Sequence, residues 1–248
     1  MPNIPLWNDE ITVLREAQVL LAKVSRWDRF TDVGVRTRPQ TVLAHSFEAP
    51  LTSRILLGRL TPHLPSDLKL DMDLLHTAHL VHDIAEGYTC QKHDKSWKDK
   101  DEADDVREYE AYSIRFNVFP EPLHTHFDRA FLLQFTHKKD LSAFPEHAQR
   151  QMLWLMISRP WENRLFRAGE TWGYMLFAAE QYRDLDNAEV LTNVLFDLLP
   201  TNDRLAREFP GYNIEVWTPA TRVWAVAFIK AHADLLLKPG DRERALAL

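Results

Sequence analysis

The spacing of apolar side chains is helical along most of this chain. Residues 219–236 contain an apolar residue every three or four positions, the pattern of one helix face: Ala220, Val223, Trp224, Ala227, Phe228, Ala231 and Leu235. A similar stripe follows Asn8 and Asp9, either of which could cap a helix over residues 9–25. The same spacing predicts further helices at residues 41–60, 72–87, 106–119, 126–137, 145–157, 162–183, 187–199 and 203–208.

Proline and glycine predict where these helices bend or end. Pro50 lies inside the stretch 41–60 and predicts a kink or an interruption there. Gly87 follows the third apolar stripe, a frequent position for glycine just past a helix. Residues 91–105 are almost wholly charged or polar, which predicts an exposed loop or, alternatively, a mobile lid.

Composition supports an all-α protein with a substantial core. The 248 residues are 45% hydrophobic and include thirteen Phe and eight Trp, but only seven Gly. Few glycines and many Leu, Ala, Glu and Arg residues favour helices over turns and strands. The length fits one large domain, or one domain with an extension.

Charge, cysteine content and hydropathy narrow the function classes. A net charge of −6 argues against binding a nucleic-acid polymer, which requires a basic face. The single cysteine, Cys90, excludes an intrachain disulfide and a cysteine-based zinc cluster. The first residues lack a basic start followed by an apolar run, and no apolar run approaches the roughly 20 residues of a membrane span. We therefore expect a cytoplasmic protein without a membrane partner.

One stretch, residues 76–86, is rich in chemically active side chains. On a continuous helix, His79, His82, Asp83 and Glu86 would share one face, because they follow the i, i+3, i+4, i+7 spacing. Imidazole and carboxylate groups are both ligands of divalent cations. Four such groups cannot be buried without partners or a metal, so they predict a site or a polar network. We interpret them as a site.

The order of motifs along the chain resembles the HD-domain superfamily of metal-dependent phosphohydrolases, in particular the small HD-domain 5′-deoxynucleotidases. The resemblance covers residues 13–184 and lies in these stretches: Arg26-Trp27, Val35-Arg36-Thr37, Ala44-His45-Ser46, His82-Asp83-Ile84-Ala85-Glu86, Phe119-Pro120-Glu121-Pro122-Leu123 and Ala168-Gly169-Glu170-Thr171-Trp172-Gly173-Tyr174. It implies an HD-domain helical bundle over residues 1–184. Residues 185–248 would then be a C-terminal helical extension packed on this core, and could also form the interface of a homodimer.

The resemblance also implies a site. One divalent cation, Co²⁺, Mn²⁺, Mg²⁺ or Zn²⁺, would be bound by His45, His82, Asp83 and, where the family has a late aspartate, Glu170. Glu86 would be the catalytic acid or base. The implied substrate contacts are Arg26, Trp27 and Arg36. The expected activity is removal of phosphate from a deoxynucleoside monophosphate.

Three positions depart from the family pattern: Ala44 replaces an acidic residue, Gln91 replaces an aspartate, and Glu170 replaces the late aspartate. Because of these departures, a non-catalytic nucleotide-binding regulatory module is an alternative interpretation. A dNTP triphosphohydrolase is a further alternative, because additional arginines are available for a longer phosphate chain: Arg36, Arg38, Arg164 and Arg167. In a diiron oxygenase, His76 and His79 would add ligands; otherwise they pack within the helix face.

Overall fold

Regular structure is helical throughout the parts of the chain that the structure, a computed structural model, describes, residues 9–90 and 101–248. The α-helices are α1 (Asp9–Leu21), α2 (Asp28–Thr31), α3 (Val42–Leu60), α4 (Met72–Val81), α5 (Glu86–Thr89), α6 (Glu102–Phe116), α7 (Leu123–Leu132), α8 (Glu146–Ser158), α9 (Pro160–Leu185), α10 (Ala188–Glu208), α11 (Pro210–Glu215), α12 (Pro219–Ala231) and α13 (Asp241–Leu246). Short 3₁₀ helices span Thr61–His63, Leu133–Phe135 and Ala233–Leu235. An isolated antiparallel bridge joins Ser25 and Thr41. The predicted all-α fold class is confirmed.

Side-chain caps explain where several helices begin. Asp71 accepts a hydrogen bond from the backbone N–H of Leu74 at the start of α4 (3.0 Å). Thr218 does the same for Thr221 at the start of α12 (3.0 Å), directly before Pro219. Each cap satisfies a backbone donor that the helix itself leaves unpaired.

The prediction of one helix over residues 72–87 was wrong. Helix α4 ends at Val81, residues 82–85 form a turn, and Gly87 lies inside the short helix α5. A Cβ added at Gly87 would lie 3.0 Å from the Cβ of Leu20 and 3.3 Å from the backbone nitrogen of Leu21. This glycine is therefore required by the close approach of α1 to α5, and not by a helix end.

The two prolines inside helices do not divide them. Helix α3 continues from Val42 to Leu60 with Pro50 inside, and α10 continues through Pro200. The prediction of separate helices at 187–199 and 203–208 was therefore wrong. Burial of Leu198, Leu199 and Leu205 on α10 favours the continuous helix against a proline cost of about 3 kcal/mol.

The chain divides into two compact units, each built from three stretches. The first comprises residues 1–29, 39–50 and 70–166, and the second comprises residues 30–38, 51–69 and 167–248. These boundaries differ from the division at residue 184 drawn from the sequence. That residues 185–248 pack as an extension on a 1–184 core stays a prediction.

An aromatic cluster forms the core of the first unit. The rings of Tyr112 on α6 and Phe131 on α7 are parallel, with centroids 4.1 Å apart. Phe116 stacks on Tyr112 at 4.6 Å, and Phe135 contacts Phe131 at 5.8 Å. Helix α4 packs mainly against α7, the helix that carries Phe131 of this cluster.

In the second unit, α10 is the central buried helix, with α11 and α12 packed against it. Tyr212 donates its hydroxyl to Asn202 (2.7 Å), and the buried Trp217 donates its indole N–H to Asp203 (2.8 Å). These bonds satisfy polar atoms that would otherwise be costly to bury.

Two sequence-based expectations concern residues outside or at the edge of the described ranges. Gln91 and most of the predicted loop or lid at 91–105 lie outside the described residues, while Glu102 begins α6. Among the described helices, none combines the length and apolar character needed to cross a membrane.

Candidate metal centre

The centre is built where α4 ends. His82 is the C-cap residue of α4, and its backbone N–H still donates to the carbonyl of Ala78 (2.9 Å). The chain then turns through Ile84, whose N–H donates to the carbonyl of Val81 (3.0 Å). The C-terminal end of a helix has a partial negative charge, which favours a cation placed beside it.

The centre contains His82, the adjacent Asp83 and a third residue, His45, which comes from α3. Thr41 accepts the backbone N–H of Ala44 on its hydroxyl (3.2 Å) and that of His45 on its carbonyl (3.1 Å). These bonds place His45 in the first turn of α3, where it is buried with 7% of its surface exposed. His45 and His82 are far apart in the chain, so a motif made only of neighbouring residues would not include His45.

The three side chains converge on one point. The Oδ2 atom of Asp83 lies 3.1 Å from Nε2 of His82 and 3.7 Å from Nε2 of His45. The two imidazole rings are edge to face, with centroids 5.4 Å apart. Metal–ligand bonds of about 2.0–2.2 Å place neighbouring ligand atoms about 3 Å apart. His45, His82 and Asp83 therefore form a group that could hold a metal ion.

The hydrogen bonding of His82 is the kind expected of a metal-binding histidine. Its Nδ1 lies 3.0 Å from the carbonyl oxygen of His79. A carbonyl can only accept, so Nδ1 carries the proton and Nε2 is the ring nitrogen that faces Asp83. Metal-bound histidines in proteins commonly donate their other ring N–H to a backbone carbonyl in this way.

The charge state of Asp83 also suits a cation. Its side chain is 13% exposed, and Nη1 of Arg26 lies 3.4 Å from Oδ2. Burial alone would raise the pKa of Asp83, but the nearby His82, Arg26 and His45 hold that pKa below its ordinary value. The carboxylate is therefore ionised at neutral pH, which is the form that binds metal.

Glu86 lies in the same turn but is not one of the three grouped residues. It is the first residue of α5, its surface is only 2% exposed, and its backbone N–H donates to the carbonyl of Asp83 (3.0 Å). A buried carboxylate three positions after a candidate metal ligand could accept or donate a proton. Its catalytic role stays a prediction.

His79 packs within the core of the first unit. It is fully buried, and its ring stacks on Phe166 with centroids 4.6 Å apart. The ring of His82 lies 6.5 Å from that of His79 and contacts Phe166 at 5.6 Å. Of the two expectations for His79, packing and ligation of a second metal, these contacts favour packing.

Two predicted substrate contacts, Arg26 and Trp27, follow α1. Arg26 is 4% exposed, and its backbone N–H donates to the carbonyl of Gln40 (2.8 Å). Trp27 is buried and donates its indole N–H to the side chain of Gln40 (2.9 Å). Its φ of 70° is rare for a bulky residue, so these contacts hold an unfavourable backbone conformation.

Arg36 and Glu170 both belong to the second unit. Arg36 is exposed, and its backbone carbonyl accepts a hydrogen bond from Asn187 (2.7 Å). Glu170 lies on α9 and is not part of the three-residue group. The roles of Arg36 in substrate binding and of Glu170 as fourth ligand stay predictions.

Sequence reasoning missed two residues that contact the centre. Gln134 donates its side-chain amide to the carbonyl of His82 (2.7 Å), and Phe166 packs on the rings of His79 and His82. Both are distant in the chain from residues 79–83, and neither residue type indicates a metal site. No local pattern could have identified them.

Comparison of the chain with protein-family models, with curated proteins and with solved structures finds no match. The functional interpretation therefore depends on the geometry of the centre and on the order of its motifs.

Proposed function

We propose that this protein is a divalent-metal-dependent phosphohydrolase acting on a nucleotide, and specifically a 5′-deoxynucleotidase. The observation that carries the proposal is the convergence of His45, His82 and Asp83 next to the guanidinium of Arg26. A cation and an arginine side by side are suited to phosphate, because both bind and neutralise its oxygens. The motif order that resembles the HD-domain superfamily supports the same chemistry.

Each residue has a distinct role in this proposal. His45, His82 and Asp83 bind the cation, with Glu170 as the proposed fourth ligand. When bound, the cation would polarise a phosphate oxygen and lower the pKa of a coordinated water. Arg26 binds the phosphate and offsets the charge that develops during its transfer. Glu86 orients the water or protonates the leaving 5′ oxygen.

Trp27 and Arg36 are proposed as the remaining substrate contacts. An indole can pack on a sugar or base, and a guanidinium can bind phosphate oxygens. The proposed partner is thus a small nucleotide, and a homodimer is the proposed assembly.

One cation is proposed per chain, from among Co²⁺, Mn²⁺, Mg²⁺ and Zn²⁺. The two imidazole nitrogens of His45 and His82 favour a transition metal over Mg²⁺, which prefers oxygen ligands.

The test is metal analysis of the purified protein followed by a hydrolysis assay. The protein is stripped with a chelator, reloaded with each cation, and incubated with dNMPs, NMPs and dNTPs. We expect about one metal per chain by the ligand count and release of inorganic phosphate from dNMPs. Release of triphosphate from dNTPs would instead show a triphosphohydrolase. Nucleotide binding without turnover under any cation would show a non-catalytic module, and two irons per chain would indicate an oxygenase.

A further inference from the structure

The carbonyl group of His82 has a partner from a distant part of the chain. Nε2 of Gln134 donates to this oxygen at 2.7 Å, across a sequence separation of 52 residues. Because a carbonyl can only accept, the amide nitrogen of Gln134 must be the atom that faces it. This bond is made to the main chain of the metal centre and leaves the ligand side chains untouched.

This bond can affect two proposed ligands at once, because it is made to the peptide group between them. The carbonyl of His82 belongs to the planar peptide that joins His82 to Asp83. The orientation of one side chain relative to the other depends on ψ of His82 and φ of Asp83, the two torsions on either side of this peptide. The imidazole of His82 is held separately by its bond to the carbonyl of His79. The peptide and the ring are thus fixed by two independent hydrogen bonds.

Gln134 is itself held firmly. It is the middle residue of the 3₁₀ helix Leu133–Phe135, directly after α7. Leu133 and Phe135 on either side are buried in the core, and Phe135 packs on Phe144 with ring centroids 5.1 Å apart. Thr136 closes the segment by donating its hydroxyl to the carbonyl of Leu133 (2.7 Å). Since α7 also packs on α4, the donor and its acceptor directly follow two helices that pack against each other.

We propose that Gln134 is a positioning residue of the metal centre, which holds the His82–Asp83 peptide so that Nε2 of His82 and Oδ2 of Asp83 face one cation. This inference rests on the metal-binding part of the proposed function and not on the substrate. Loss of an outer hydrogen bond that orients metal ligands typically weakens metal affinity by roughly 10–100-fold. We expect a loss in that range without Gln134.

The experiment compares Gln134→Met with a matched control, Gln149→Met. Gln149 makes the same kind of bond at the same length, from its Nε2 to the carbonyl of Phe144 (2.7 Å), away from the ligands. Methionine preserves the approximate size and removes the donor in both cases. The chelator-stripped proteins are titrated with Co²⁺, and visible absorption reports both the affinity and the coordination of the ion. We expect the Co²⁺ Kd to rise roughly 10–100-fold for Gln134→Met and to stay at the wild-type value for Gln149→Met.

A second variant keeps the test informative if Gln134→Met does not fold. Gln134→Asn retains the amide but is one methylene shorter, so its donor no longer reaches the carbonyl of His82. We expect the Co²⁺ Kd to rise in this variant as well. Wild-type Co²⁺ affinity in either folded Gln134 variant, or equal weakening in Gln149→Met, overturns the inference and leaves the proposed function standing. A wild-type protein that binds none of Co²⁺, Mn²⁺, Mg²⁺ and Zn²⁺ overturns both, whereas Co²⁺ binding that depends on Gln134 without nucleotide hydrolysis overturns only the proposed function.

Discussion

Nε2 of His82 and Oδ2 of Asp83 lie 3.1 Å apart, although the two residues are neighbours in the chain. Adjacent residues on a regular helix do not face each other, and here the pair lies in the turn after α4. The proton on Nδ1 of His82 is directed to the carbonyl of His79. The remaining nitrogen and the carboxylate oxygen therefore face each other across a distance that one cation can bridge.

Removing either imidazole should strongly weaken metal binding. We expect His45→Ala and His82→Ala to raise the metal Kd by more than the roughly 100-fold that losing an outer hydrogen bond costs, because each removes a ligand atom. Metal content by elemental analysis is the measurement. His126→Ala is the control, since His126 is half-buried on α7 and lies 3.1 Å from the hydroxyl of Thr77, outside the group. Full metal content in His82→Ala would contradict the assignment of the centre.

Glu86→Gln should separate chemistry from metal binding. Glutamine has nearly the same shape but cannot accept a proton, so we expect kcat to fall roughly 10²–10⁴-fold with unchanged metal content. Steady-state kinetics on the best dNMP, together with metal analysis, checks this. Glu110→Gln on the exposed face of α6 should keep wild-type kcat. A Glu86→Gln enzyme with undiminished kcat would remove Glu86 from the mechanism.

Alanine substitutions at two helical glycines should have opposite effects on stability. In Gly87→Ala the new Cβ would lie 3.0 Å from Cβ of Leu20, so we expect a loss of about 1–3 kcal/mol. In Gly58→Ala the new Cβ has nothing within 4 Å, so the better helix propensity should add about 0.5–1 kcal/mol. Urea denaturation midpoints measure both changes. Equal effects at the two sites would show that α1 does not approach α5 closely enough to require glycine.

The stabilising effect of Asp203 should depend on pH. Burial raises the pKa of Asp203, but its bonds from Arg222 and Trp217 outweigh this and hold the pKa below its ordinary value of 3.8. A depressed folded-state pKa contributes stability above the unfolded-state pKa, and that stability is lost as pH falls through the folded-state value.

For Asp203→Asn we therefore expect a loss of about 1–2 kcal/mol at pH 7, modest because Arg222 is half exposed. The difference from wild type should stay constant down to about pH 4 and shrink below it. Denaturant unfolding over this pH range measures it, with the exposed Asp67→Asn as the control. A difference that grows on acidification would contradict a depressed pKa for Asp203 in the folded protein.

Helix positions were the most predictable part of this protein. Predicted and observed bounds agree closely for α3 and α8, because apolar periodicity and neighbouring prolines are local signals. The predictions were wrong at Gly87 and Pro200, where contacts from other helices outweigh the local preference. At both positions the residue type indicated an end, and packing determined the outcome.

The sequence by itself determined that the protein is helical, and it supplied adjacent imidazole and carboxylate groups at His82 and Asp83, because both properties depend only on neighbouring residues. The resemblance in motif order pointed to His45. Only the tertiary structure decided that His45 reaches within 3.7 Å of Asp83 and that Gln134 bonds to the peptide between the two adjacent residues. Such contacts join residues far apart in the chain, so no pattern of neighbouring residues sets their geometry.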